Sequence, residues 1–274
     1  MKKIEIEETV EFLNTKYPKP LVGIVLGTGL NSLIEKIDNA ISISYDDIPN
    51  FVTSTVEFHK GELIFGNINN VPVIIMQGRF HYYEGYSMQQ ITFPVRVMKG
   101  LGIEYLLLSN AAGGMNPDFK KGDLIITDDH INLLPDNPIR GLGNEFGNRF
   151  VDMSQPYDTE LQKSFERSLK KQNVKIKKGV YVSVMGPNLE TRAEYKWLRN
   201  MGADMVGMST VPEVIVANQL GIKCAAISVI TDECDPDNLK PINIAEIIEV
   251  AGKADKKLSL IFMDVIAGLN RDEA

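Results

Sequence analysis

Hydrophobic positions along the chain fall into short continuous runs that alternate with longer stretches of mixed character. The runs predict strands at residues 21–26, 62–65, 71–76, 105–109, 123–127, 180–184, 204–208 and 224–230. The mixed stretches predict helices at residues 3–14, 30–37, 88–100, 159–172, 190–201, 212–220 and 243–268. Strands interleaved with helices are typical of an α/β fold. We therefore expect a single domain over residues 1–274, with a central mixed β-sheet flanked by helices.

Two connecting segments carry further information about the fold. Residues 67–70, Asn-Ile-Asn-Asn, join the second and third predicted strands and have the composition of a hairpin turn. Residues 134–150 contain prolines and glycines together with phenylalanines and arginines. A pure spacer needs no aromatic side chains, so we expect this loop to pack on the protein rather than to tether two domains.

Charge and composition narrow the classes of function. The net charge of −7 and the sequence pI near 5.2 argue against nucleic acid or an anionic membrane as the main partner. No apolar run approaches the ~20 residues of a membrane span, and the N-terminus lacks the apolar stretch of a signal peptide. The two cysteines, Cys224 and Cys234, form no CxxC pair, so neither a disulfide framework nor a zinc site is expected. The sequence predicts a cytoplasmic protein.

Polar and glycine-rich segments follow the predicted strands at their carboxyl ends. They cover residues 27–32, 78–86, 110–114, 186–194, 206–213 and 230–237. Open α/β sheets place their ligand sites at this edge, so we expect the segments to meet in one site. The acidic segment 230–237 has no EF-hand spacing, and no metal is expected there.

Each segment has a functional and a purely structural interpretation. Arg79 and His81 have the chemistry to hold an oxyanion, but their segment also fits a surface loop with clustered aromatics. Gly27-Thr28-Gly29 suits an anion at a helix start, yet it lacks the dinucleotide and P-loop spacings and also fits a plain turn. Ser209 has the alternative role of an N-cap, and Glu190 that of an acid in the first turn of a helix.

Together the segments resemble the trimeric purine nucleoside phosphorylase family over essentially the whole chain. The most specific stretches are residues 77–86, 92–97, 110–114 and 207–213. The resemblance implies reversible phosphorolysis of purine ribonucleosides and 2′-deoxyribonucleosides, with inosine and guanosine as the main substrates, in purine salvage. It also implies a homotrimer that uses inorganic phosphate as co-substrate, without a metal or an organic cofactor.

The resemblance further implies roles for individual residues. The expected phosphate contacts are Thr28, His59, Arg79, His81, Ala111 and Ser209. The expected ribose contacts are Tyr83, Met208, Ile244 and, from a neighbouring subunit, Phe146. The expected base contacts are Leu189, Glu190, Val206 and Asp232. His81, Glu190 and Asp232 are the expected catalytic residues.

Three positions depart from the pattern of the family members that are specific for 6-oxopurines. Asp232 stands where those members carry asparagine, and Leu189 replaces a phenylalanine that stacks on the base. Ile244 replaces a histidine near the 5′-hydroxyl. A carboxylate at position 232 can accept a hydrogen bond from a 6-amino group, or donate one to N7 or O6 if its pKa rises enough for protonation. The substrate range is therefore open to adenosine.

Two alternatives remain from the sequence. Asp232 and the apolar 5′ position also resemble the sister group, the 5′-methylthioadenosine phosphorylases. Glu190 argues against that group, because its members carry a serine pair at this motif. The second alternative is a non-catalytic nucleoside-binding protein, which has no need of the full set of Arg79, His81, Ser209 and Glu190.

Overall fold

The computed structural model describes residues 2–27, 31–55, 60–241 and 243–269. Within them the strands are β1 (Val22–Val25), β2 (Asp38–Ser44), β3 (Glu62–Ile68), β4 (Val71–Gln77), β5 (Tyr105–Gly114), β6 (Leu124–Asn132), β7 (Lys178–Ser183), β8 (Met205–Gly207) and β9 (Lys223–Glu233). The α-helices are α1 (Lys3–Asn14), α2 (Met88–Leu101), α3 (Thr159–Lys171), α4 (Arg192–Asn200), α5 (Val211–Gln219) and α6 (Ile244–Ala267). The predicted α/β fold, a mixed sheet flanked by helices, is confirmed.

Strand β5 is the centre of the sheet. It pairs in parallel with β1 on one side and with β9 on the other, and the sheet continues outward from β1 through β4, β3 and β2. Beyond an irregularity between Ala112 and Gly113, the last residues of β5 also pair antiparallel with β8. Because β8, β7, β6 and β9 pair in that order, the strands from β5 back to β5 form a closed circuit. This closure brings the ends of β5, β8 and β9 together.

Helices cover the sheet on two sides and bury its apolar side chains. On one side α1, α2 and α5 contribute Leu13, Val97 and Val214, all fully buried, to a common core. On the other side α3 and α6 pack through Phe165 and Phe262, whose rings stack with centroids 5.7 Å apart. Burying each such aromatic side chain stabilises the fold by roughly 1.5–3 kcal/mol. The sheet is thus a rigid support for the loops at its carboxyl edge.

Most predicted elements are present, and the differences have physical reasons. The helix expected at 30–37 is wrong: among the described residues of this segment, only Ile34–Lys36 form a short 3-10 turn. Strand β2 was not predicted because it is an edge strand whose residues are mostly exposed, which removes the alternation of apolar and polar positions. Strand β5 runs five residues further than expected, through the small residues of 110–114.

The predicted hairpin between β3 and β4 is confirmed. Ile68 pairs with Val71, so Asn69 and Asn70 alone form the turn. Both asparagines have positive φ angles, 51° and 64°, as a type I′ turn requires. Asparagine tolerates this conformation better than most residues, which explains why two of them stand here.

Across the described residues, none of the helices combines the length and apolar character needed to cross a bilayer.

Candidate active site

A cleft lies at the carboxyl edge of the sheet, where β1, β4, β5, β8 and β9 end. Its inner part is a cavity of about 170 Å³, and it continues into an outer cavity of about 500 Å³. The shared walls of the two parts are Leu189, Glu190, Tyr195, Thr231, Asp232 and Ile247. The inner part brings together ten of the residues singled out in the sequence, namely Arg79, His81, Tyr83, Ala111, Leu189, Glu190, Val206, Met208, Ser209 and Asp232.

Arg79 is the cationic centre at the inner end of the cleft. It follows β4 directly and its side chain is only 2% exposed. Its Nη1 atom donates to the Ser109 carbonyl at 3.0 Å, to Ser209 Oγ at 3.0 Å and to Thr210 Oγ1 at 3.3 Å. Its Nε atom lies 3.2 Å from Glu213 Oε1. The guanidinium is therefore held in one orientation beside the Ser209 hydroxyl.

A strained turn at Thr210 positions Ser209. Thr210 has φ 67° and ψ −51°, and the Val211 N–H donates to the Ser209 carbonyl at 2.7 Å, which makes a γ-turn of the rare positive-φ type. Such a conformation costs a β-branched residue roughly 1–3 kcal/mol. The Thr210 hydroxyl accepts from Asn110 Nδ2 at 2.9 Å, and this bond and the Arg79 bond hold the turn. Ser209 thereby enters the cleft at the start of α5.

His81 lies beside Arg79 and is oriented by Glu84. The distance from His81 Nδ1 to Glu84 Oε1 is 3.0 Å, and the imidazole stacks on Tyr83 with ring centroids 4.7 Å apart. Burial lowers the pKa of His81, so the ring is neutral at pH 7. An ionised carboxylate only accepts hydrogen bonds, so Nδ1 carries the proton and Nε2 keeps its lone pair.

Glu84 connects His81 to the chain segment ahead of residue 56. Its Oε2 atom accepts from the Thr55 N–H at 3.0 Å and from the Thr55 hydroxyl at 2.6 Å. Burial opposes ionisation of Glu84, but the hydrogen bonds from His81 and Thr55 outweigh it and lower its pKa to about 2. Glu84 is therefore ionised throughout the physiological range.

Two carboxylates, Glu190 and Asp232, form the opposite end of the cleft. Asp232 Oδ1 accepts from the Thr231 hydroxyl at 2.8 Å, and Oδ2 accepts from Cys234 Sγ at 2.9 Å. Burial raises the pKa of Glu190, and the nearby charge of Asp232 raises it further. A Cβ atom added at Gly113 would lie 3.3 Å from Asp232 Oδ2 and 2.6 Å from Cys234 Sγ, so this part of β5 needs glycine.

Two of the remaining four predicted residues, Ile244 and Phe146, do not line the inner cavity. Thr28 and His59 lie outside the described residues. Ile244 is the first residue of α6 and is 54% exposed, whereas Ile247, one turn further along the helix, lines both parts of the cleft.

Phe146 lies away from the cleft of its own chain. Its ring packs under the Arg96 guanidinium, 4.8 Å from the ring centroid to Cζ. The expectation that the loop at 134–150 packs on the protein is confirmed for Phe146, while Phe150 is 88% exposed.

Several residues of the site were not singled out in the sequence. Glu84 and Glu213 lie in the segments that were identified. Glu84 contacts His81 three residues away and Thr55, whereas the contact of Glu213 with Arg79 requires α5 to start beside the end of β4. Tyr195 and Ile247 are apolar-face residues of α4 and α6, and nothing in the sequence distinguishes them from core positions. Among the described residues, no group of three or more histidine, cysteine or acidic side chains is placed to hold a metal ion.

Comparisons with known proteins agree with this geometry. The family model of the phosphorylase superfamily matches residues 21–267. Purine nucleoside phosphorylase 1 of Bacillus subtilis is 49% identical over 253 residues, which cover 92% of this chain and 93% of the relative. Purine nucleoside phosphorylase of Bos taurus is 44% identical over 248 residues, covering 88% of this chain and 86% of the relative.

Solved structures of similar proteins share the whole fold. Isoform 2 of purine nucleoside phosphorylase from Schistosoma mansoni, crystallised with cytosine and ribose 1-phosphate, matches with a TM-score of 0.94 at 38% identity, over 99% of this chain and 98% of that chain. Schistosoma mansoni purine nucleoside phosphorylase in complex with adenosine matches with a TM-score of 0.93 at 37% identity, over 99% of both chains. The chain therefore belongs to the phosphorylase superfamily and, within it, to the purine nucleoside phosphorylase family.

Proposed function

We propose that this protein catalyses the reversible phosphorolysis of purine nucleosides, giving a free purine base and ribose or 2′-deoxyribose 1-phosphate. Inosine and guanosine are the proposed main substrates, and purine salvage is the proposed role. One observation carries the proposal: a single cleft has an arginine-centred anion site at one end and two carboxylates at the other. Phosphate, sugar and base require this order of polar groups along a cleft.

The inner end suits inorganic phosphate. Arg79 and the Ser209 hydroxyl are donors within 3.0 Å of each other, and the backbone of Ala111 lines the same wall. The lone pair on His81 Nε2 can accept the proton of a hydrogen phosphate ion. Thr28 and His59 complete the proposed phosphate site.

The middle of the cleft suits the ribose. Tyr83 and Met208 line it between the two polar ends. The flexible apolar side chain of Met208 can pack against a face of the sugar ring. Ile244 is the residue proposed near the 5′ position, and Ile247, one turn further along α6, lines the cleft. Phe146 of a neighbouring subunit would close the ribose site in the proposed homotrimer.

The outer end suits the purine. Leu189 and Val206 supply apolar walls, and Glu190 can accept from N1–H and from the 2-amino group of guanine. Asp232 stands opposite the N7 and C6 side of the base. The pairing of base to Glu190 and Asp232 fixes the position of the glycosidic bond relative to phosphate.

The proposed reaction follows from the order of the phosphate, ribose and base sites along the cleft. Breaking the glycosidic bond develops positive charge on the sugar and negative charge on the purine. Phosphate held by Arg79 and Ser209 stabilises the sugar cation and then bonds to the anomeric carbon, while a donor near N7 stabilises the departing base. Acid assistance of this kind typically contributes a factor of ~10²–10⁴. The proposal needs no metal, organic cofactor or covalent enzyme intermediate.

We further propose one domain for residues 1–274 and a cytoplasmic location. One sheet includes strands from Val22 to Glu233, and α6 packs back on it, which supports the single domain. Cys224 and Cys234 are free and buried, which suits a reducing compartment.

A phosphate-dependent assay tests the proposal. Purified enzyme is incubated with inosine, guanosine, adenosine and 5′-methylthioadenosine, each with and without phosphate, and free base and sugar phosphate are quantified. Phosphate-dependent release of hypoxanthine and guanine is the expected result. Release of adenine from methylthioadenosine alone would assign the enzyme to the sister group, and no base release from any nucleoside would leave a binding protein.

A further inference from the structure

Arg96 of α2 lies in the specific stretch 92–97, and the proposed reaction gives it no role. Its side chain is buried, with 2% exposure. Its Nη2 atom donates to Gln219 Oε1 at 2.9 Å, whereas its Nε and Nη1 atoms are buried without a hydrogen-bond partner among the described residues. The Phe146 ring covers the guanidinium, with 4.8 Å between the ring centroid and Cζ. Arg96 is thus a buried cation held by one amide and one aromatic ring.

The burial of Arg96 strengthens its contact with Phe146. Burial lowers the pKa of Arg96 to about 10, so the guanidinium is still charged at pH 7. In the part of the chain that the structure describes, Arg96 forms no salt bridge with an acidic side chain. The negative face of the Phe146 ring therefore offsets the charge, and such a cation–π contact is stronger where water is excluded. We expect the guanidinium to fix the position of the ring.

The loop 134–150 lies on α2 and α5 at the same point. Gly147 approaches Gln219 so closely that an added Cβ atom would lie 2.7 Å from the Gln219 carbonyl oxygen. Its φ angle of 128° also favours glycine. Ile139 of the same loop packs on the core that α1, α2 and α5 share. The orientation of Phe146 is therefore set by two helices and not by the loop alone.

Phe146 keeps part of its ring available to another chain. The ring is only half-buried, and it is not among the walls of the cleft of its own chain. The next step rests on the proposed function, in which Phe146 closes the ribose site of a neighbouring subunit.

We propose that Arg96 is a positioning residue for that neighbouring site. Its guanidinium, oriented by Gln219, holds the Phe146 ring where the ring contacts the ribose bound to the next subunit. Arg96 itself touches no substrate. It acts on the site of the neighbouring subunit and not on the site of its own chain.

Arg96→Met tests the proposal through the kinetic constants of the two substrates. The KM for inosine should rise about fivefold, as expected for one lost cation–π contact, while the KM for phosphate stays unchanged. Urea denaturation should show no loss of stability, because an apolar side chain replaces a buried charge that lacks a counterion. An unchanged KM for inosine, or an equal rise in both KM values, overturns the proposal.

Arg96→Lys is the conservative variant. It keeps a cation near the ring but loses the planar guanidinium, so its KM for inosine should lie between those of the unmodified enzyme and of Arg96→Met. It carries the test by itself if the methionine variant does not fold, and a KM for inosine equal to that of the unmodified enzyme then overturns the proposal. Arg140→Met is the matched control on the same loop, because Arg140 is exposed and pairs with Asp136. It should leave both KM values unchanged.

A double-mutant cycle shows whether Arg96 acts through Phe146. Adding Arg96→Met to Phe146→Ala should raise the KM for inosine no further, since the ring that Arg96 holds is already absent. The same increase in both backgrounds would mean that Arg96 acts by another route, and the proposal would be wrong.

Mixed assemblies show which site Arg96 serves. The Arg96→Met chain is co-expressed with an excess of the Arg79→Ala chain, under two affinity tags. Most active sites then combine an intact Arg79 with a neighbouring Phe146 that is held by an intact Arg96. Their KM for inosine should return to that of the unmodified enzyme. A KM that stays raised would place the effect of Arg96 in its own chain.

The outcomes separate this inference from the proposed function. Phosphorolysis of inosine with the same KM in the unmodified enzyme and in Arg96→Met leaves the proposed function intact and overturns the role of Arg96. If no nucleoside is cleaved, the proposed function fails. Calorimetric titration with inosine then replaces the kinetic measurement, and equal affinities of the unmodified protein and Arg96→Met overturn the inference.

Discussion

Arg79 and Glu213 form a buried ion pair, with Arg79 Nε 3.2 Å from Glu213 Oε1 and side chains that are 2% and 4% exposed. Arg79 follows β4, and Glu213 lies in the first turn of α5. The pair therefore joins two elements that are 134 positions apart in the chain and fixes the guanidinium against Ser209. Removing one partner of a buried pair leaves an uncompensated charge, which costs more than the pair itself contributes.

Arg79→Ala should weaken both the binding of phosphate and the stability of the fold. We expect the apparent KM for phosphate to rise at least about tenfold, because the main cation of the anion site is gone. We also expect the free energy of unfolding to fall by about 3 kcal/mol, because Glu213 is left buried without its partner. Steady-state kinetics with varied phosphate and urea denaturation measure the two effects.

A double variant separates these two losses. Arg79→Leu together with Glu213→Leu removes both charges and should restore most of the stability, since well-packed apolar pairs often replace buried ion pairs without cost. The high KM for phosphate should persist. A normal phosphate requirement in either variant would contradict the assigned anion site.

Glu190→Ala should abolish turnover of 6-oxopurine nucleosides, with a loss of about a hundredfold or more in kcat/KM for inosine. The carboxylate is the proposed acceptor for N1–H, and a lost hydrogen bond to a charged group in a closed site has effects of this order. Glu194→Gln is the matched control, because Glu194 is an exposed acid that forms the capping box of α4. Near-normal inosine turnover in Glu190→Ala would remove this residue from the base site.

Asp232→Asn should sharpen the preference for inosine and guanosine over adenosine by about tenfold. The amide provides a permanent donor to N7 and O6 and cannot serve as an anionic acceptor for a 6-amino group. Competition between inosine and adenosine in one reaction gives the ratio directly. The control is Asp237→Asn. Asp237 is an exposed acid a few residues after Asp232, and it pairs with Lys196 of α4. An unchanged ratio would mean that Asp232 is only a loop acid.

Glu84 should make the stability of the protein sensitive to acid. Its pKa falls from 4.5 to about 2 on folding, so ionised Glu84 stabilises the folded state above pH 4.5, and this contribution is lost as the pH falls toward 2. Urea denaturation of the unmodified protein and of Glu84→Gln, at several pH values from 7 downward, measures it. The difference in unfolding free energy should be constant from pH 7 to about 5.5 and shrink below 4.5. A difference that grows in acid contradicts the assignment.

Phe146→Ala tests whether subunits complete each other's sites. We expect a higher KM for inosine with an unchanged KM for phosphate, because only the ribose-binding middle of the cleft is opened. Co-expression of Phe146→Ala with the Arg79→Ala chain, under two affinity tags, should give mixed assemblies with more activity than either parent. That gain requires a site whose Arg79 and Phe146 come from different chains, and its absence would place Phe146 outside every active site.

The sequence by itself determined the class of the fold and the composition of the site. Periodicity identified strands and helices wherever one face is buried, because burial imposes a regular alternation of apolar and polar residues. It failed at β2, whose exposed residues carry no such pattern, and at 30–37, whose described residues form only a short turn. Residues 78–86 and 207–213 suit an oxyanion but equally fit a surface loop and an N-cap, and the resemblance to the phosphorylase family is what assigned Arg79, His81 and Ser209 to phosphate.

Only the tertiary structure decided which of these groups meet, and in what orientation. Glu213 reaches Arg79 because α5 starts beside the end of β4, and Thr210 adopts its strained turn because bonds from Asn110 and Arg79 hold it there. Tyr195 of α4 and Cys234, just after β9, lie in one buried cluster although 39 positions separate them in the chain. Contacts of this kind depend on the packing of elements distant in the chain, and local sequence patterns do not encode such distances.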